Sequence, residues 1–207
     1  MKITFLIPAL LCCFMVKAQK EKPNHKYTFR LSAGKSIAGS GDIAGLYLRL
    51  GIEKKVKRWS FSLSQTTTIH DGSHPIFYEY PAGYMQDASI RFSVTGLELT
   101  PMAGYSILSL PRHDVQFSLG AVLRYQSNGD NDYYSLYYPA ATGLPFPVLV
   151  MHNVVPVRTL NAGGIAQLSY DIRLCSRWTV GAAGSFQTDT NGDVFLNYGI
   201  RCGYQFN

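Results

Sequence analysis

The chain has 207 residues, 46% of them apolar and only 15% charged, which is too apolar for a disordered chain and too short for more than one or two domains. Aromatics make up 13%, and 19 Gly and 10 Pro break the chain about every seven residues, which excludes a bundle of long helices. Mean hydropathy is -0.01, yet no stretch after residue 20 holds the 18 or more apolar residues of a membrane helix, so a helical membrane protein is excluded too.

Residues 1–18 read as a secretory signal peptide. Lys2 is followed by a mostly apolar run from Ile3 to Val16, and Val16-Lys17-Ala18 precedes Gln19 as a cleavage site with a small residue at the cut. Lipidation at Cys12 or Cys13 fits poorly, because no small residue precedes them and the apolar run continues beyond. Residues 19–26 are then a short N-terminal periplasmic segment and 27–207 one domain. Losing Lys2 and Lys17 lowers the net charge from +6 to about +4, too mild and dispersed to point to nucleic acid. Only Cys175 and Cys202 remain, so a disulfide scaffold is excluded; placed on strands that are not neighbours, they are expected to be free thiols.

From residue 27 the chain alternates with period two. Strands are expected at Tyr27 to Lys35, Ile43 to Ile52, Trp59 to Ile69, Ala88 to Leu108, Val115 to Gln126, Val157 to Ile172, Trp178 to Gln187 and Val194 to Phe206. In the last, Val194, Leu196, Tyr198, Ile200, Cys202, Tyr204 and Phe206 form an apolar row, against Phe195, Asn197, Gly199, Arg201, Gly203 and Gln205. Within the fourth strand Ser89, Arg91, Ser93 and Thr95 keep one register and Glu98 and Thr100 the other, which predicts a bulge near Gly96. Connections alternate in length. Glu53 to Arg58, Ser109 to Asp114 and Arg173 to Arg177 are short; Ser36 to Asp42, His70 to Asp87, Ser127 to Pro156 and Thr188 to Asp193 are mostly longer.

Eight antiparallel strands, polar inside and apolar outside, with short turns on one rim and long loops on the other, predict an all-β transmembrane β-barrel. A soluble sandwich also alternates, but its strands average about 5 to 6 residues and carry more charge. Trp59, Trp178, Tyr204 and Phe206 fall near strand ends, where an interfacial girdle belongs. A hairpin from Pro147 to Met151 and Val154 to Val157 leaves ten strands as the alternative.

On this layout, with the signal ending in Ala18-Gln19, the segment Leu97-Glu98-Leu99-Thr100-Pro101 and the closing Gly203-Tyr204-Gln205-Phe206, the chain resembles small bacterial outer-membrane β-barrel proteins. These are the OmpA- and OmpX-like eight-stranded group and the β-barrel domain family abundant in Bacteroidota. The resemblance implies an outer-membrane location, contact with outer-membrane lipid and lipopolysaccharide, and delivery by the barrel-assembly machinery. That machinery is thought to read a terminal aromatic; here Asn207 follows Phe206.

An eight-stranded lumen is just wide enough for its own side chains. Arg30, Arg49, Arg91, Arg124 and Arg201, with Glu98 and Asp171, are therefore expected to form an internal ion-pair network, with an anion site or a narrow channel as alternatives. Tyr125-Gln126-Ser127-Asn128-Gly129 loosely resembles the His-x-Ser-Asn motif of outer-membrane lipid A deacylases. Tyr125 stands where that family has its His, so a hydrolase would need His70 or His152 to reach Ser127. His70-Asp71-Gly72-Ser73-His74 reads as an exposed loop rather than a metal site, since Gly72 and Pro75 oppose a helix. Asn128 to Asp132 and Asp189 to Asp193 lack the twelve-residue calcium loop and its closing Glu. No catalytic residue, cofactor or metal is assigned. The third long loop is unusually apolar: Tyr133, Tyr134, Tyr137 and Tyr138 precede a Pro-rich stretch holding Phe146. It either packs over the barrel mouth, lies against the outer leaflet, or binds a ligand or partner. The expectation is a non-enzymatic envelope protein with recognition in its external loops.

Overall fold

The computed structural model describes residues 27–39, 43–74, 77–79, 85–87, 90–129, 133–145, 147–152 and 156–206. The signal peptide, the 19–26 segment and Asn207 lie outside the described residues. Eight long strands build the domain: β1 (Tyr27–Ala38), β2 (Ile43–Val56), β3 (Trp59–His74), β6 (Ile90–Ser109), β7 (His113–Gly129), β10 (Val157–Arg173), β11 (Trp178–Asp189) and β12 (Val194–Phe206). They close into a barrel in the order β1-β12-β11-β10-β7-β6-β3-β2, every pairing antiparallel, with β2 returning to β1 from Tyr27↔Lys54 to Ala38↔Ile43. The barrel excludes the sandwich and leaves no edge strand, so each ladder group has a partner.

Two small hairpins rise from the long-loop rim: β4 (Phe77–Glu79) with β5 (Met85–Asp87), and β8 (Tyr133–Tyr137) with β9 (Val148–His152), the latter enclosing a single helical turn, α1 (Pro139–Thr142). Each is a separate two-stranded sheet, so the barrel has eight strands and not ten. The expected hairpin is corrected as well. The partner of Val148–His152 is the tyrosine-rich segment, and Val157 begins β10.

The period-two reading holds because inward and outward rows face different media. In β12, Phe195, Asn197 and Arg201 are buried in the lumen while Leu196, Tyr198 and Ile200 are exposed on the outer wall. In β7, Gln116, Ser118, Val122, Arg124 and Gln126 are buried and Phe117, Leu119, Leu123 and Tyr125 exposed. The bulge expected near Gly96 is absent. The β3–β6 ladder runs without a break from Trp59↔Tyr105 to His74↔Ile90, and the register shift in β6 falls between Ser106 and Leu108. Ser93 and Thr95 therefore share the exposed outer row with Leu97 and Leu99, opposite to Gly96, Glu98 and Thr100.

Two expected loops are strand. Ser36 belongs to β1, and the whole His70 to His74 segment extends β3, with His70 fully buried in the lumen rather than exposed. Cys175 is exposed in the β10–β11 turn rather than on a strand; both cysteines are free. The β11–β12 turn explains its Asn-Gly without metal. Asp189 accepts the backbone N–H groups of Asn191 (3.0 Å) and Asp193 (3.2 Å), and Gly192 takes the left-handed φ of 81°. Gly34 and Gly199 stand opposite each other across β1 and β12. A Cβ on Gly34 would run into the carbonyl of Tyr198, and one on Gly199 into that of Ala33, so glycine is required for this close approach.

Candidate functional site

Inward side chains at three levels fill the lumen. Toward the short-turn rim, β1, β2, β10 and β12 each contribute one charge to a ring of alternating sign. Arg30 pairs with Glu53 at 3.0 Å and with Asp171 at 3.1 Å; Arg201 pairs with the same Asp171 at 3.1 Å and reaches Glu53 at 3.6 Å. Each carboxylate serves two arginines, which is how four charges tolerate a site nearly closed to water. Arg30, Asp171 and Arg201 were expected in such a network. Glu53 was not, because it was read as the start of a turn. It lies on the row of Arg49 two alternations on, and β2 continues to Val56.

The middle level is partly dry. Met102, Val122 and Ile165 meet in an apolar cluster. Arg49, beside them, has no carboxylate partner among the described residues; its Nε donates to the Thr66 hydroxyl at 2.8 Å and its Nη1 to Gln167, while Nη2 meets no acceptor among those residues. A void of about 30 Å³ lined by Arg49, Glu53, Gln167 and Arg201 has room for one or two waters to complete these bonds.

At the long-loop level Arg124 and Glu98, both with fully buried side chains, form an ion pair. Arg124 Nε also donates to Gln126 (2.7 Å), and Nη2 to Thr68 (3.1 Å). The guanidinium lies 3.7 Å over the Phe195 ring, and Gln187 donates to Glu98 at 3.2 Å. His70 Nε2 sits 2.8 Å from the Ser36 hydroxyl, its ring 5.7 Å from Phe195. The two expected charged groups therefore meet, with partners no motif announced. The Arg91 side chain lies outside the described residues.

At the short-turn end the lumen opens into a cavity of about 210 Å³. Five cationic side chains line it, Arg30, Lys55, Lys57, Arg112 and Arg173, against Glu53, Asp114 and Asp171. Lys55 pairs with Asp114 at 2.8 Å. Lys57, first in the two-residue β2–β3 turn, has φ 58°. On the outer wall at this height, aromatic pairs bridge neighbouring strands: Tyr27 with Phe206 (6.0 Å), Trp178 with Tyr204 (5.0 Å) and Trp59 with Tyr105 (5.3 Å). His113 stacks on Tyr170 at 6.0 Å. Arg58 and Arg177 donate to the Tyr105 and Tyr204 hydroxyls at 3.5 and 3.3 Å.

On the opposite rim, α1 begins with Pro139 and ends at Gly143 (φ 68°), whose N–H donates to the Pro139 carbonyl at 2.8 Å. Leu136, Tyr137, Tyr138 and Leu144 are exposed around it. Tyr133 and Tyr134 pair by backbone with His152 and Met151; their side chains and Phe146 lie outside the described residues. Ser127 is on the outward row of β7, whereas His70 is inside, so the barrel wall separates the two. The His152 side chain lies outside the described residues. Among the described residues no three His, Cys, Asp or Glu are placed to hold a metal.

No protein-family model matches this sequence, and no curated protein matches it. Solved structures do. Neisserial surface protein A superposes with a TM-score of 0.54 at 12% identity, over 87% of this chain and 97% of that one. OprG, an outer membrane protein of Pseudomonas aeruginosa, gives 0.52 at 13% identity, over 90% and 100%. The attachment invasion locus protein Ail of Yersinia pestis, in complex with the heparin analogue sucrose octasulfate, gives 0.51 at 8% identity, over 88% and 99%. What these likenesses share with this chain is a fold, the closed eight-stranded antiparallel barrel of small outer-membrane proteins.

Proposed function

We propose that this chain is a non-enzymatic outer-membrane protein, anchored by a barrel with a side-chain-filled lumen, whose external loops, chiefly Ser127 to Pro156, bind a ligand or partner. The observation that carries the reading is the outer wall. Leu31, Leu48, Leu50, Leu63, Leu99, Leu119, Leu123, Leu168 and Phe186 stand exposed around a closed barrel, above the aromatic pairs at one end. Exposing such side chains to water costs about 1.5–3 kcal/mol each relative to burial, and lipid removes that cost. The aromatic pairs and their arginine neighbours are suited to one membrane interface, and the short turns beside them are the kind found on the periplasmic side of such barrels, which supports the long loops lying outside. Leu136, Tyr137, Tyr138 and Leu144 support recognition, because rigid aromatic surface loses little entropy on binding.

In this reading the signal peptide is removed near Ala18-Gln19, the barrel-assembly machinery inserts the chain, and the wall contacts outer-membrane lipid and lipopolysaccharide. The apolar cluster of Met102, Val122 and Ile165 inside the lumen, with the buried charge pairs on either side of it, makes electrical silence in planar bilayers the expected result. Ester hydrolysis dependent on Ser127 is likewise not expected. The test is heat-modifiable gel migration of membrane-extracted protein, boiled against unboiled, with surface proteolysis of intact cells. A mobility shift with cleavage between Ser127 and Pro156 is the expected outcome. An unshifted protein in the soluble periplasmic fraction would overturn the proposal.

A further inference from the structure

The short-turn mouth offers more positive charge than its own carboxylates use. Five cations and three acids line it, and Arg201 behind them shares two of those acids, which leaves three cations in excess. The acids are largely engaged: Glu53 and Asp171 by Arg30 and Arg201, and Asp114 by Lys55 through Oδ2, its Oδ1 keeping no hydrogen bond. Among the described residues Lys57, Arg112 and Arg173 carry no ion pair. Two guanidinium N–H groups, Nε of Arg30 and Nε of Arg173, are removed from water with no acceptor, a costly state for a donor. The Arg173 backbone N–H donates to the Arg112 carbonyl at 2.8 Å, which ties the β10 end to the β6–β7 turn and holds these two cationic positions together. Lys57 occupies a left-handed backbone position that glycine fills more easily; strain of this kind persists where a side chain is wanted at a fixed place.

A site of unused donors and few unused acceptors fits a group that only accepts. We propose that this mouth binds a divalent oxyanion of the phosphate class, free or as a small monoester, with Lys57, Arg112 and Arg173 as its principal ligands. Three unpaired cations favour an anion of more than one charge, and planar guanidinium groups match tetrahedral oxyanions by paired N–H donation. The cavity, about 210 Å³, equals the share of about seven waters, enough for a phosphate with a small substituent and too small for a folded partner. The site rests on the barrel but not on the role assigned to the external loops.

The test is calorimetric titration of inorganic phosphate into the full mature chain, refolded in detergent micelles, at constant ionic strength so that screening is unchanged. Binding at about 1 mM or tighter is expected. Lys57→Ala and Arg112→Ala alter exposed turn positions, so the heat-shifted gel band should survive while phosphate affinity falls about fivefold for each and more than about tenfold together. Arg158→Ala, near the other end of the barrel, should bind phosphate as the unaltered chain does. Acetate, carrying one charge, should bind about tenfold more weakly. Glycerol 3-phosphate identifies the source: tighter binding than phosphate indicates a substituted ligand, weaker binding the free ion, and either supports the class. A folded, shifted barrel that gives no phosphate heat overturns this site alone. Equal affinity in the double variant, or acetate as tight as phosphate, overturns it too. Loss of the gel shift in the unaltered chain overturns both this site and the membrane barrel.

Discussion

Replacing Glu98 with leucine would leave buried Arg124 with no counterion in contact, only the more distant Asp189 and Asp193. Both side chains are fully buried, and removing one member of such a pair typically costs about 3–5 kcal/mol, because the other charge stays desolvated. Here the lower end applies. Arg124 keeps Gln126 at 2.7 Å, Thr68 at 3.1 Å and the Phe195 face at 3.7 Å, and a desolvated cation–π contact is worth about 2 kcal/mol. Gln187 loses its acceptor on Glu98, which adds about 1 kcal/mol. A loss of about 3–4 kcal/mol follows, a change of roughly a hundredfold or more in the folded-to-unfolded ratio. The double variant Glu98→Leu/Arg124→Met removes both charges for side chains of similar volume and should return to within about 1 kcal/mol of the original, a recovery of about 2–3 kcal/mol over Glu98→Leu alone. Urea unfolding in phospholipid vesicles, followed by fluorescence of Trp59 and Trp178 and by gel mobility, measures all four corners of the cycle. A Glu98→Leu loss below 1 kcal/mol, or a double variant less stable than the single, would refute the account of a buried charge held by its counterion.

In the lower ring each charge has two partners, so Asp171→Asn should cost only about 1–2 kcal/mol by the same assay, since Arg30 retains Glu53 at 3.0 Å; a loss equal to that of Glu98→Leu would contradict shared pairing. Gly199→Ala should cost about 1–3 kcal/mol, because its methyl meets the β1 backbone, whereas Gly184→Ala, with its nearest neighbour at 4.0 Å, should be neutral or gain up to about 1 kcal/mol. Similar effects at the two sites would rule out the close approach of β1 and β12. Lys57→Gly should raise stability by about 0.5–1 kcal/mol by relieving the left-handed φ while lowering phosphate affinity about fivefold. Unfolding and titration of one preparation check both, and a loss of stability would refute the strain argument.

The barrel was legible because lipid and lumen impose opposite demands on alternate residues. Wherever a strand is flanked by both media, as from Val115 to Tyr125 or Leu196 to Tyr204, the pattern gives strand, face and extent together. The same logic fails where the outer wall meets water. Ser93 and Thr95 are polar, which on alternation alone points to the lumen, but near the top of β6 an outward side chain no longer needs to be apolar. His70 and Ser36 were assigned to loops for the same reason, the strands outrunning the apolar signal that marked them. The charge network is legible in several of its members but not in its pairing. Alternation places Arg30, Arg201, Asp171 and Glu98 inside, while the choice of partner depends on barrel stagger, which one strand's sequence does not encode. Glu53 could have been found, since it continues the inward row of Arg49. Nothing local distinguishes Gln126, Thr68 or Gln187 as supports of Arg124 until the strands are in register.

Strand length varies around the barrel, from 12 residues in β1 and β11 to 17 in β7 and β10 and 20 in β6. About 9–11 tilted residues cross the hydrocarbon, so β6 carries about ten more, and at about 3.3 Å per residue and 40° of tilt these rise some 25 Å past the core. With the aromatic pairs fixing the short-turn end at one interface, all of that excess stands on the other side, and only on one flank. The wall is therefore a sloping turret. Under the outer-membrane reading proposed above, its high side, formed by β6, β7 and β10, is also the flank that bears the tyrosine-rich hairpin, and a surface approaching the cell would meet it before meeting the membrane.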